Sequence, residues 1–225
     1  MVAFTTPATG NEALRGTGVA VADVGPKPPP TTKELPMKDA STPATPDQRD
    51  YAMRRVLYNT LIAAKALDFV PQSGDDFSAK EMAKVSGLIM SRNLDDFFFK
   101  QDRDAEKVTR RGGTPNRQES YRMPDDIFVA DFPIPWQPPT SAMISDRDYE
   151  RINKLVGHIV ADPPDPIKDT EACAIIEPLV RAAIEFVHSC LTSGTASYTG
   201  KAGPYVRRLN GILKELGISR LPKPV

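Results

Sequence analysis

The chain has 225 residues, 40% of them hydrophobic and 26% charged, and its 29 Lys and Arg equal its 29 Asp and Glu. That balance fits a folded globular chain and excludes collagen-like chains and polybasic nucleic-acid coats. No apolar run approaches the roughly 18 residues a membrane-spanning helix requires.

The 22 prolines are about twice the usual share of roughly 5%, and many fall in two stretches. Residues 1–44 carry prolines at 7, 26, 28, 29, 30, 36 and 43, with small residues and threonines between them. Such a segment has too little apolar surface to offset its chain entropy, so an extended arm is expected. Pro28, Pro29 and Pro30 favour polyproline II within it. The opening residues Met1 to Pro7 lack a basic start and a continuous apolar stretch, so no secretory signal is expected. The closing residues 222–225 read as a short tail.

A core domain is expected over 45–221. Thr45-Pro46-Asp47-Gln48 is a helix start, with Thr as N-cap, Pro in the first turn and Gln three residues on. Val56, Leu57, Leu61, Ala64 and Leu67 then share a face, and Pro71 predicts the stop. Ser78 and Glu81 predict a second capping box. Met82, Val85, Ile89 and Leu94 continue that helix into Phe97-Phe98-Phe99, and its charged extension runs to Gly112-Gly113. A helix buries few consecutive positions on one face. At least one of the three phenylalanines must therefore meet the Pro-rich middle of its own chain or a neighbouring subunit.

The insertion 112–144 has prolines at 115, 124, 133, 135, 138 and 139 and reads as irregular, with a short strand or hairpin allowed over 127–132. Ser145 and Asp148 begin another helix, which the prolines near 163 stop. The longest helical pattern runs from about Lys168 to Thr192, with Pro178 expected to kink or divide it. Gly203-Pro204 and Gly217 bracket the last helix. The expected fold is mainly α: a bundle core of about five helices, a long extended Pro-rich N-terminal arm and an irregular Pro-rich middle.

Chemical motifs are sparse. The run Arg15-Gly16-Thr17-Gly18-Val19-Ala20-Val21 starts like a dinucleotide fingerprint but has Val21 where glycine is needed. The two histidines, His158 and His188, and the two cysteines, Cys173 and Cys190, fit no zinc spacing. Two cysteines in apolar helical context read as reduced core residues, which suits a reducing compartment such as the cytosol. Asp75-Asp76, Asp95-Asp96 and Asp125-Asp126 are adjacent pairs. Neighbours on a helix point about 100° apart, so structural use is expected. No catalytic residue, metal site or cofactor is expected.

Cationic residues carry more signal. Residues 100–122 hold seven Lys and Arg against four acidic residues, and 201–225 hold six against one. Arg110, Arg111 and Arg117 fall in a Gly-containing loop; Lys201, Arg207 and Arg208 fall at the last helix. A groove joining the two would hold phosphates, with Tyr121 or Tyr205 stacking on a base. Pro28, Pro29, Pro30, Phe98 and Trp136 are the expected contacts between copies.

The general plan of a Thr/Pro/Ala-rich arm, helical core and near-zero charge resembles that of flexible filamentous virus coats, without a motif that places the chain among them. The expectation is a non-enzymatic structural subunit of coat or nucleocapsid type. It would self-associate as a large homo-oligomer through the arm and contact single-stranded RNA, in the cytoplasm and in a virion. The alternative is an accessory or assembly subunit of a multiprotein complex without nucleic acid. An enzyme without a recognisable motif is the lesser alternative.

Overall fold

A computed structural model describes residues 39–222 except 73–76, 122–125, 140–141, 158–165 and 196–202. Pro28, Pro29, Pro30, His158, Lys201 and the pair Asp75-Asp76 lie outside the described residues. The chain divides into two units, Met1–Lys33 and Glu34–Val225, and all the described residues lie in the second.

Among the described residues there are five α-helices and no strand: α1 (Pro46–Gln72), α2 (Phe77–Arg110), α3 (Asp146–Gly157), α4 (Asp169–Thr192) and α5 (Gly203–Glu215). The helical bundle read from the sequence is the fold. None of these helices is long and apolar enough to cross a membrane.

The capping chemistry sets the helix ends. Thr45 Oγ1 accepts from the Gln48 N–H at 3.2 Å, and Gln48 Oε1 accepts from the Thr45 N–H at 2.9 Å, a reciprocal box that starts α1. Ser145 caps α3, its hydroxyl accepting from the Asp148 N–H at 3.1 Å and donating to the Asp148 carboxylate at 2.7 Å. Ser78 is not the N-cap expected of it, because α2 already begins at Phe77. At the far end of α5, Gly217 takes a φ of +65°, a left-handed conformation that costs glycine nothing. The Ile218 and Gly217 N–H groups then reach the Leu213 and Lys214 carbonyls at 2.8 and 3.2 Å, a Schellman close. Gly112 after α2 and Gly194 after α4 end their helices with the same bond pattern.

Two prolines are tolerated inside helices. Pro71 stands in the last turn of α1, which ends at Gln72. Pro178 does not divide α4, which is continuous from Asp169 to Thr192. Its ring and Ala174, whose carbonyl loses its helical partner, are both exposed, so water can satisfy that carbonyl.

α1 and α2 form an antiparallel pair about 40 and 50 Å long. α4 packs across both, α5 lies on α1, and α3 lies on α2. The closest approach is at Gly87, where an added Cβ would lie 2.4 Å from Ala66 Cβ and 2.9 Å from Ile176 Cδ1. Lys80 and Lys84 of α2 both bind Asp169 at the start of α4, at 2.7 and 3.2 Å.

All three consecutive phenylalanines are buried, Phe97 at 9% and Phe98 and Phe99 at 3% exposure. That is more than one helix face can bury, and the Pro-rich middle supplies the further wall. Phe97 meets Phe132 and Phe186, while Phe98 meets Trp136 and Phe186, with ring centroids 5.1 to 5.9 Å apart. The strand allowed over 127–132 is not formed. Asp131 accepts from the Phe128 N–H at 2.9 Å, folding Val129–Asp131 into a 3-10 turn instead.

The middle segment is tied to α2 at several points. Lys100 donates to the Ser120 carbonyl at 2.8 Å, and Ser120 donates to Asp104 at 2.9 Å. Asp95, with no exposed surface, accepts from the Met143 and Ile144 N–H groups at 3.1 and 3.3 Å. Asp95 also pairs with Arg103, two turns along α2. The Arg103 guanidinium stacks 4.3 Å from the Tyr149 ring centre, and the Tyr149 hydroxyl donates to Asp96 at 2.8 Å. This network joins α2, the middle segment and α3.

Asp95→Ala should cost about 3–5 kcal/mol in urea unfolding, because it strands the Arg103 charge. Pairing it with Arg103→Met should recover much of that loss, a coupling that a double-mutant cycle measures directly. Gly87→Ala should cost about 1–3 kcal/mol by overpacking, although helix propensity alone favours alanine by about 1 kcal/mol; the same unfolding experiment reads both.

Candidate nucleic-acid interface

Arg110 is the last residue of α2. It is exposed and paired with Glu106 one turn earlier, whose hydrogen bond raises the guanidinium pKa. Arg111 is exposed in the turn that follows, and Arg117 is exposed at the start of the 3-10 turn Arg117–Ser120. Arg207 and Arg208 are exposed on α5. These groups do not form one cluster. Tyr205 of α5 sits 6.0 Å from Tyr58 of α1, and the neighbouring Asn59 shares a cleft with Asn93 of α2. Arg110 therefore lies about 25 Å further along α2. A single phosphate cannot join the two cationic groups, whereas an extended strand can.

Tyr121 is not available to a base. It is 4% exposed, accepts from Gln101 at 2.8 Å and donates to Asp131 at 2.9 Å. Burial, reinforced by the Asp131 charge and hydrogen bond, pushes its phenol well above the usual value. Tyr205 is half-buried, its ring edge-on to Tyr58, which is 44% exposed.

The outer face of α1 adds residues that counting charges along the sequence overlooks. Tyr51, Arg55 and Tyr58 recur at helical spacing, and Arg54 flanks them. The Arg54 and Arg55 guanidinium carbons stand 5.8 and 6.0 Å from the Tyr51 ring centre, within reach of the ring's electron-rich face. The Tyr58–Tyr205 pair extends this face onto α5. Arg208 follows Tyr205 by three residues, one helical turn, and so lies on its side of α5. Guanidinium groups interleaved with accessible aromatic rings can neutralise phosphates and stack bases without reading sequence. The Tyr-Ala-Met-Arg-Arg-Val-Leu-Tyr run from Tyr51 to Tyr58 was the available signal.

Phe98, expected at a surface between copies, belongs instead to the chain's own core. Trp136 packs one side against Phe98 and Phe186, and its indole N–H donates to Glu185 at 3.3 Å. It remains partly exposed, lining an open groove of about 690 Å³ with Pro135, Ile184, His188 and Arg220.

Neither cysteine nor histidine chemistry converges on this face. His188 is exposed on α4 and meets Thr192 of its own helix. Among the described residues no three His, Cys, Asp or Glu side chains gather as a metal would require. Compared with protein-family models, with curated proteins and with solved structures, the chain matches none.

Cys190 has no exposed surface, and burial pushes its thiol up to about 12. Cys173 is partly exposed, its thiol raised by burial and by Asp169 and Glu177. Thiolate is the reactive form. In native protein at mildly alkaline pH, a colorimetric thiol reagent should therefore label Cys173 slowly and leave Cys190 untouched. Both should react in denaturant.

Proposed function

We propose that this chain is a non-enzymatic structural subunit of coat or nucleocapsid type, one that self-associates into a large homo-oligomer and lays single-stranded RNA along its surface. The observation that carries this reading is the face of α1 shared by Tyr51, Arg54, Arg55 and Tyr58, of which Arg55 and Tyr58 are exposed and Tyr51 and Arg54 half-buried, continued by Tyr205 and Arg208 on α5. Stacking rings beside guanidinium groups suit a polyanion bound irrespective of sequence. Arg110, Arg111 and Arg117 supply a second contact to the same strand. The protein's place is then the cytoplasm and, once assembled, a virion.

Association proceeds through the N-terminal arm of one copy lying on another. Polyproline segments dock on aromatic-lined grooves. Trp136 in its open groove is the anchor for a neighbour's Pro28, Pro29 and Pro30.

A second reading, an accessory subunit of a protein-only complex, draws on a different surface. Phe69, Phe77 and Met82 are 42%, 72% and 71% exposed where α1 ends and α2 begins. An apolar tip of that kind favours a protein partner over a polyanion.

Light scattering on a sizing column, with absorbance followed at two wavelengths, separates these readings. The first expects a particle many times the chain mass that carries nucleic acid, reduced to small species when residues 1–38 are removed. In anisotropy titrations with a short labelled RNA, Tyr58→Ala should weaken binding by about 1–3 kcal/mol. Arg55→Gln with Arg208→Gln should flatten the salt dependence by about 0.7 per lost phosphate contact. A large particle free of nucleic acid, with no RNA binding at low salt, would favour the accessory subunit.

A further inference from the structure

A cleft of about 200 Å³ opens at the edge of the α1 face, between α1, α2 and the segment at Ile127 and Phe128. Its apolar lining comes from Val56, Phe97, Ile127 and Phe128, and its polar lining includes two carboxamides, Asn59 from α1 and Asn93 from α2. Antiparallel pairing of the helices brings these two asparagines into one cleft although they are far apart in sequence.

The state of each polar group narrows the ligand. Lys100 is engaged by the Ser120 carbonyl at 2.8 Å, by Asp104 at 3.5 Å and by the Phe128 ring at 5.3 Å. Asp96 accepts from Tyr149 at 2.8 Å and lies 3.7 Å from Arg92. The two cations of the lining, Arg55 and Lys100, face two carboxylates, Asp96 and Asp126. The cleft therefore offers no net charge to a phosphate or an ammonium group. The asparagines differ from these groups. Among the described residues the Asn59 carboxamide has no hydrogen-bond partner, and the Asn93 carboxamide makes only a 4.0 Å contact to the Met90 sulfur. Each carboxamide retains an acceptor oxygen and N–H donors.

An apolar lining, a neutral electrostatic balance and two carboxamides with spare donors and acceptors suit a flat, uncharged ring edged with both kinds of group. We infer that this cleft receives one nucleobase, its edge hydrogen-bonded by Asn59 and Asn93 while the attached phosphate stays outside near Arg55. Asparagine meets adenine in this way through a paired donor and acceptor, which makes adenine the favoured base. The inference rests on the RNA reading for its source of bases, although a free nucleotide offers the same chemistry.

The test uses the full chain, Asn59→Leu and Asn93→Leu, with circular dichroism melts to establish that each variant folds. Three probes are titrated: a labelled oligoadenylate, an abasic oligonucleotide of equal length, and AMP. The expected result is about a ten-fold loss of oligoadenylate affinity in either variant, with the abasic strand unaffected. AMP binding that depends on both asparagines, with no strand binding by the parent chain, would uphold the cleft and overturn the RNA reading. Oligoadenylate bound equally by parent and folded variants would overturn the cleft and leave the RNA reading standing. Equal losses on oligoadenylate and the abasic strand would also overturn it, since the asparagines would then act on the sugar–phosphate backbone and not on a base.

Discussion

A carboxylate with no exposed surface must be paired, and Asp95 is paired from two directions. Arg103 neutralises it from two turns along the same helix, and the Met143 and Ile144 N–H groups complete its hydrogen bonding. The helix partner fixes the charge; the backbone partners fix the path of a segment distant in sequence. Burying two charges is costly enough that a hydrophobic pair would often be as stable. What the ionic pair adds is direction, because a carboxylate accepts N–H groups at defined positions and an apolar side chain does not. The segment leading into α3 is held to α2 there, and Tyr149 over Arg103 extends the hold to the helix itself.

That anchorage explains how α2 can be apolar around so much of its circumference near Phe97 to Phe99. A helix of this kind needs neighbours on more than one side. α1 and α4 cover two sides, and the Pro-rich middle covers another through Phe132 and Trp136. Among its described residues the segment forms no α-helix or strand, only the short 3-10 turns Arg117–Ser120 and Val129–Asp131, so most of its backbone groups need other partners. The Lys100 bond to the Ser120 carbonyl and the Asp131 bond to the Phe128 N–H are two of these. Proline suits such a wall, since it removes a donor that would otherwise need a partner.

The helices were legible because their signals are local: a capping box at Thr45, a serine N-cap at Ser145, and glycines where left-handed residues close α2 and α5. Continuity through Pro178 was not, because it depends on which side of α4 faces water. The strand allowed over 127–132 had the right composition, yet one side chain, Asp131, captured the Phe128 N–H and turned the chain. The candidate interface was legible only in part. Counting charges found Arg110, Arg111 and Arg208 but could not show that the first two lie far from the third. It offered Tyr121 beside Tyr205, yet the Tyr121 ring is buried and its hydroxyl is held by Gln101, 20 residues back along the chain. Tyr58 has its helical spacing written in the sequence. Its exposure, and its contact with Tyr205, follow only from how α5 lies on α1.

On the proposed reading, zero net charge constrains how the chain would hold RNA. Without a strong overall field, a single copy attracts a polyanion weakly, and each local cation contributes a contact that salt readily screens. On the proposed reading the remedy is repetition. Copies joined through their arms present the same face again and again, and each contact after the first is made at high effective concentration. Stacking on Tyr58 and Tyr205 then matters more than charge, since it is far less sensitive to salt. A chain that bound tightly alone would hold RNA before its neighbours arrived. One that binds weakly by itself makes RNA retention depend on assembly.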